Sequence, residues 1–258
     1  EILSGLVGSE MCIRDRYRDI PRIDFENTVE WKQHNVLLRV NFPVDVNTTK
    51  AAFEIQYGSL ERDTTANNSW DSAKFEVCGH KWADLSENSF GISLLNDCKY
   101  GYSAKNGDLG LTLIKSGTYP NADADIGTHR FTYSIYPHAG RWQEARTVDM
   151  AYNLNVPLLT AACHAEQGSL PREFSLAGVS CGNCFLEMIK RAEDGNGLIL
   201  RVYENKNATT QAWVRFGRPI RQVLKCDLME NTLSEVEHEG DGFPVSLKPY
   251  AVETFRIL

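Results

Sequence analysis

Three groups of side chains in this sequence have the types and spacing to do chemistry. The first is Cys181-Gly182-Asn183-Cys184, a C-x-x-C. As a redox motif such a pair opens a helix, whose dipole stabilises the thiolate. As a structural zinc site it needs four ligands, normally a second C-x-x-C or a spaced histidine pair. Here the flanks read as strand. Only Cys163 and His164 lie nearby in sequence, adjacent to each other and poorly spaced for one metal. Buried or turn thiols are the expected role, and no metal ligands are assigned. The second group, His80, His129, His138 and His164, is scattered and forms no helical metal pair. The third is Asn96-Asp97-Cys98-Lys99-Tyr100-Gly101-Tyr102. An amide, a carboxylate, an ammonium and two phenols meet there, at a turn after the apolar stretch 91–95. Such a loop offers donors and acceptors to a polyol and aromatic faces to sugar C–H groups. On composition alone a charged, solvated β-turn is the plainer reading of the same residues.

The elements that must position these residues are strands. Val36, Leu38, Val40 and Phe42 alternate with polar or outward positions, as do Phe53, Ile55 and Tyr57 around Glu54 and Gln56. Leu109, Leu111 and Leu113 repeat the pattern, and so do His129, Phe131, Tyr133 and Ile135. A period of two marks a strand with one buried face. Gln33-His34-Asn35, Asn96-Asp97 and Asn106-Gly107-Asp108 supply turns. Residues 140–154 are the exception: Trp142, Ala145, Val148 and Tyr152 recur at near-helical spacing, which predicts a short helix ending before Pro157. The polar segment 165–171, with Gly168 and Pro171, reads as a linker. Beyond it, strands are expected at 174–179, 185–191, 198–204, 212–216, 223–228, 245–247 and 253–258. Seven short strands at even spacing predict a small antiparallel β-sandwich.

Composition narrows the class. The chain has 258 residues and a net charge of −7, which argues against nucleic acid or an anionic membrane as partner. No apolar run reaches transmembrane length. Cys78, Cys98 and Cys226 show no disulfide framework, which favours a reducing compartment. No P-loop, nucleotide fingerprint or G-x-S-x-G occurs. Sequons at Asn47, Asn67 and Asn207 carry information only in a secreted chain. Residues 1–16 resemble the translation of a transposon-type sequencing adapter, so they are expected to be a non-native scar with native sequence from Tyr17. The expected organisation is then a first domain over 17–164, incomplete at its start, the linker, and a second domain over 172–258.

Several separate runs carry a family resemblance. They are Asn67-Asn68-Ser69-Trp70-Asp71, His80-Lys81-Trp82-Ala83-Asp84-Leu85-Ser86, Leu94-Leu95-Asn96-Asp97-Cys98-Lys99-Tyr100-Gly101 and Asp125-Ile126-Gly127-Thr128-His129. Ala151-Tyr152-Asn153-Leu154-Asn155-Val156-Pro157-Leu158, Leu200-Arg201-Val202-Tyr203-Glu204 and Cys226-Asp227-Leu228-Met229-Glu230 follow in order. Together they resemble the C-terminal half of glycoside hydrolase family 38 α-mannosidases, nearest the cytosolic or vacuolar branch. The resemblance implies an all-β fold: a truncated antiparallel β-supersandwich of mutarotase-like type, then a small β-sandwich. It implies a parent enzyme that cleaves terminal α-mannosides of oligosaccharides with retention. The zinc ion and both carboxylates would sit in an N-terminal barrel absent here, so no catalytic residue is assigned and the fragment alone is expected to be inactive. Family members bring one loop of the supersandwich to the active site, with an Asp-Arg pair in the Golgi and lysosomal relatives. Here that pair reads Asp97-Cys98, followed by Lys99. The expectation is that Asp97 orders the turn and that Lys99 or Tyr100 meets sugar hydroxyls, with Asn96 beside them. His80 and Trp82 would stand behind these. The implied partners are a mannose oligosaccharide and the chain's own catalytic domain, with room for a homo-oligomer, in a cytoplasmic or vacuolar setting. The competing reading is a stand-alone carbohydrate-binding or structural β-sandwich. A mutarotase-like epimerase would need a His and a Glu paired in one cleft, and the sequence assigns no such pair.

Overall fold

The computed structural model describes residues 9–162 and 171–258. Almost all of the proposed linker, together with Cys163 and His164, lies outside the described residues. Among them are nineteen strands in antiparallel sheets and two short helices. No helix is long and apolar enough to cross a membrane. The chain divides into two compact units: Glu1–Gln56 with Leu60–Leu159, and Tyr57–Ser59 with Thr160–Leu258.

The first unit contains, in order, β1 (Ser9–Asp15), β2 (Ile23–Trp31), β3 (Leu37–Pro43), β4 (Lys50–Ile55) and β5 (Gly58–Asp63). Helix α1 (Ser69–Ser72), β6 (Val77–Cys78), β7 (Trp82–Ser86), β8 (Phe90–Asn96) and β9 (Gly101–Lys105) follow. Last come β10 (Asp108–Lys115), β11 (Gly127–Ala139) and α2 (Thr147–Asn155). One sheet runs β1-β2-β11-β8-β7-β4-β5 and the other β3-β10-β9-β6. Asn106 and Gly107, at φ 54° and 76°, make the tight turn that joins β9 to β10. The leucines of β10 then face Phe53, Leu85 and Phe131 across the core. Strand β1 pairs with β2 from Ser9↔Glu30 to Asp15↔Asp24. Residues 11–14 on it are all exposed, so this edge strand is held by its backbone and adds no side chain to the core.

The middle of the large sheet breaks the expected alternation. Ala51, Ala52, Phe53 and Glu54 are all buried, as are Trp82, Ala83, Asp84 and Leu85, and Ser93, Leu94, Leu95 and Asn96. The reason is a third layer. One face packs on the small sheet; the other is covered by α2 and the turn before it, where Trp142 meets Trp82 at 4.8 Å. Glu54, read from sequence as an outward position, is therefore inside. Tyr57, read as continuing the same strand, sits in the following turn at φ 57°. A buried ion pair secures α2. Arg22 donates to Asp24 through Nε at 2.7 Å and through Nη2 at 3.2 Å. Its Nη1 reaches the Met150 carbonyl at 3.0 Å, and the Ser134 hydroxyl donates to Asp24 at 2.6 Å.

The second unit contains β12 (Ala177–Val179), β13 (Cys184–Arg191), β14 (Leu198–Glu204), β15 (Thr210–Phe216) and β16 (Val223–Cys226). Strands β17 (Thr232–Val236), β18 (Gly242–Leu247) and β19 (Val252–Ile257) complete it. Sheets ordered β12-β15-β18 and β13-β14-β19-β16-β17 face one another, with Phe243 and Phe255 in contact at 5.0 Å. This is the β-sandwich expected from the spacing, with one strand more. Strand β17 escaped notice because it is an edge strand with four of its five residues exposed.

Candidate functional site

The loop between β8 and β9 is shaped by one amide. Asn96 is 1% exposed, and its side chain makes four hydrogen bonds. Its Nδ2 donates to the His80 carbonyl at 2.9 Å and to the Tyr102 hydroxyl. Its Oδ1 accepts from the backbone N–H of Cys98 at 2.9 Å and from that of Lys99. A buried side chain that satisfies both its own groups and the turn's backbone fixes the turn from within. Tyr102 completes the set by donating its hydroxyl to the same His80 carbonyl at 2.9 Å. Burial holds that phenol well above its ordinary range, so it remains a donor. Gly79 makes room for it: a Cβ there would lie 2.8 Å from the Tyr102 ring.

Two contacts tie the loop to its surroundings. The Asp97 N–H donates to the Thr132 carbonyl at 3.1 Å, and the Thr132 N–H donates back to the Asp97 carboxylate at 2.9 Å. From α2, the Asn155 amide donates to the Asn96 carbonyl at 2.9 Å. These residues border an open cleft of about 440 Å³ whose other walls are His80, Lys81, Cys98 and Tyr100. Tyr100 is exposed and meets His80 edge to face at 5.6 Å. Lys81 is held by Glu54 at 2.8 Å, with its ammonium 4.7 Å from the centre of the Tyr152 ring. Burial raises the Glu54 carboxyl above its ordinary value, and the Lys81 charge only partly offsets this. Partial desolvation, then the Asp97 carboxylate beside it, push the Cys98 thiol up to about 11. That thiol is therefore protonated and a poor nucleophile near neutral pH.

The structure brings Asn96, Asp97, Tyr100 and His80 to one cleft. Asn96, rather than Asp97, orders the turn. Lys99 points its ammonium at the Phe131 ring, 4.6 Å away, and does not line the cleft. Trp82 is 1% exposed in the layer beneath Trp142. Sequence reasoning missed Lys81, Glu54 and Asn155. Lys81 stood inside a quoted run without a role, while Glu54 and Asn155 come from distant strands and helices and left no local signal. The cleft is a set of polar donors and acceptors beside two aromatic rings, suited to a neutral polyol; Asp97 is the one carboxylate lining it. The C-x-x-C is different. Cys184 opens β13, buried in the second core with its thiol pushed upward by burial, and both cysteines are free.

Comparison with known proteins decides the family. The model for the glycosyl hydrolases family 38 C-terminal domain matches residues 10–123, and that for the family 38 C-terminal beta sandwich domain matches residues 183–255. The chain belongs to glycosyl hydrolase family 38. It is 41% identical over 213 residues to alpha-mannosidase 2C1 of Homo sapiens, covering 81% of this chain and 20% of that protein. Alpha-mannosidase G of Dictyostelium discoideum is 39% identical over 92% of this chain and 22% of its own length. The alpha-mannosidase of Saccharomyces cerevisiae is 34% identical over 92% of this chain and 24% of its own length. The family 38 chain thus spans about a fifth to a quarter of these relatives. An alpha-mannosidase structure from Enterococcus faecalis V583 shares the fold, with a TM-score of 0.82 at 18% identity over 97% of this chain and 29% of that one.

Proposed function

We propose that this family 38 chain is the C-terminal β-portion of a retaining, zinc-dependent α-mannosidase that removes terminal mannose from oligosaccharides, and that its loop cleft meets the sugar. The observation that carries the reading is the ordered match of both family 38 C-terminal models, with 34–41% identity to α-mannosidases over most of the chain. Retention needs two carboxyl groups about 5–5.5 Å apart, and the cleft supplies one. Nor do the donor sets fit zinc: among the described residues, no three His, Cys, Asp or Glu side chains lie where they could share a metal. Bond cleavage therefore belongs to another part of the parent. This chain binds and orients: Tyr100 and His80 pack against the sugar ring, Lys81 donates to its hydroxyls, and Asn96 keeps the loop in place. The parent works in a cytoplasmic or vacuolar setting, with room for a homo-oligomer.

The test has two arms. The chain alone hydrolyses no aryl α-mannoside with or without added Zn²⁺; measurable zinc-dependent turnover refutes the assignment. In the full-length parent, Tyr100→Ala raises KM for the mannoside about tenfold, the scale of one lost stacking contact and its orientation. An unchanged KM removes the loop from the substrate site.

A further inference from the structure

A second cavity in the first unit, of about 250 Å³, opens on the helix-covered side of the large sheet, among β4, β5, β7 and the turn before α2. Its floor is Ala52, the cross-strand partner of Asp84. The small side chain leaves the Asp84 carboxylate facing open space. Asp84 is 1% exposed, and its Oδ2 is fully engaged: His138 Nε2 lies at 2.8 Å and the Ser93 hydroxyl donates at 2.7 Å. Ser93 is braced in turn by the Thr147 hydroxyl at 2.8 Å. His138 can lie where it does only because residue 91 is glycine; a Cβ there would sit 2.4 Å from the imidazole. The carboxylate is thus held rigidly by one oxygen. Its other oxygen, Oδ1, is buried and has no hydrogen-bond partner among the described residues. A second acceptor on the same cavity, Gln143 Oε1, is in the same condition.

Two preorganised orphan acceptors require a ligand that donates. An anion is disfavoured by Asp84 and by Glu61 at the rim. A metal ion is disfavoured because Lys50 and Arg141 share the wall and no third metal-binding side chain joins the two carboxylates. A neutral hydroxyl group suits all of them, since it donates to Asp84 and accepts from the cations. It also serves Gln143 in either amide orientation. The space equals about eight waters at ~30 Å³ each and falls below the ~300 Å³ where drug-sized pockets begin. We propose that this cavity binds one neutral, polyhydroxylated molecule of pyranose size, whose hydroxyls donate to Asp84 Oδ1 and Gln143 Oε1 and accept from Lys50 and Arg141. The site is separate from the loop cleft and does not rest on its assignment.

The test titrates the full chain, carrying Tyr100→Ala so that the loop cleft contributes least, with methyl α-D-mannopyranoside and separately with glycerol. Crystals soaked in the mannoside locate the ligand. Saturable mannoside binding is expected, with density between Asp84 and Gln143. Gln143→Leu, which removes an acceptor on the covering turn, and Ala52→Leu, which fills the floor, each weaken it at least about tenfold. Unfolding midpoints verify that both variants fold, and either one alone suffices. Undiminished binding in a folded variant overturns the proposal. So do the absence of saturation, ordered water alone in the cavity, or glycerol binding as tightly as the mannoside.

Discussion

Strands β15 and β18 of the second unit and strands β7 and β8 of the first have similar lengths but different surroundings. In β15 the buried residues Thr210, Ala212, Val214 and Phe216 alternate with exposed or half-buried ones, because one face meets solvent. In β7 and β8 runs of four successive residues are buried, because α2 and its leading turn close the second face. Closing that face places polar residues inside: Asp24, Glu54, Asp84, Ser93, Asn96 and Ser134. Each then needs partners, and those partners organise both cavities. A two-layer region gains stability from apolar burial, whereas the three-layer region gains fixed polar geometry. The first is well suited to holding a shape and the second to holding a ligand.

The comparison can be broken at its strongest point by removing a buried charge. Asp24→Ala leaves Arg22 uncompensated and should destabilise the first unit by about 3–5 kcal/mol; a denaturant titration showing under about 1 kcal/mol would mean that the ion pair does not anchor α2. The matching change in the apolar region, Phe243→Ala, should cost a similar ~3–5 kcal/mol, but through a cavity, with no dependence on pH. Next comes Asn96→Ala, which strands buried backbone and phenol groups and should cost roughly 2–4 kcal/mol at about 1–3 kcal/mol per unsatisfied group. Loop distortion should then appear as altered Cys98 and Lys99 amide resonances, while those of β18 stay put.

A smaller effect carries a sign. The folded-state pKa of Glu54 is raised above its ordinary 4.5 because burial outweighs the pull of Lys81. A raised folded pKa means that the protonated form fits the fold better. The stability it contributes is complete below about 4.5 and is lost as pH rises through the folded value. Unfolding measured from acid to neutral pH should show that loss, and Glu54→Gln should flatten it; a profile unchanged by the substitution would place the raised acid elsewhere. Smallest of all is Leu233→Lys on the exposed edge β17, expected within ±0.5 kcal/mol. A larger cost would show that this edge is covered.

The same contrast accounts for what was legible beforehand. Leu109, Leu111 and Leu113, or Phe131 and Tyr133, announce their strands because alternation records one wet face and one dry. Seven of the eight strands in the sandwich were visible for that reason. Strand β17 was not, since an edge that buries nothing leaves no period. Within the cleft, Asn96, Asp97 and Tyr100 stood together in sequence and could be seen together. Lys81 needs Glu54, 27 residues away, and Asn155 arrives from α2. Period two also misreads Glu54, because it assigns every polar alternate position to water and cannot register a helix laid over that face.

The amide at position 96 has a further consequence. Its hydrogen bonds go to a carbonyl, a phenol and the peptide N–H groups of Cys98 and Lys99, never to the side chains of those two residues. The contour of the loop is thereby uncoupled from its lettering. Residues 98 and 99 can be exchanged without re-solving the backbone, so selection or a library designer can vary what the cleft presents while its outline is inherited intact.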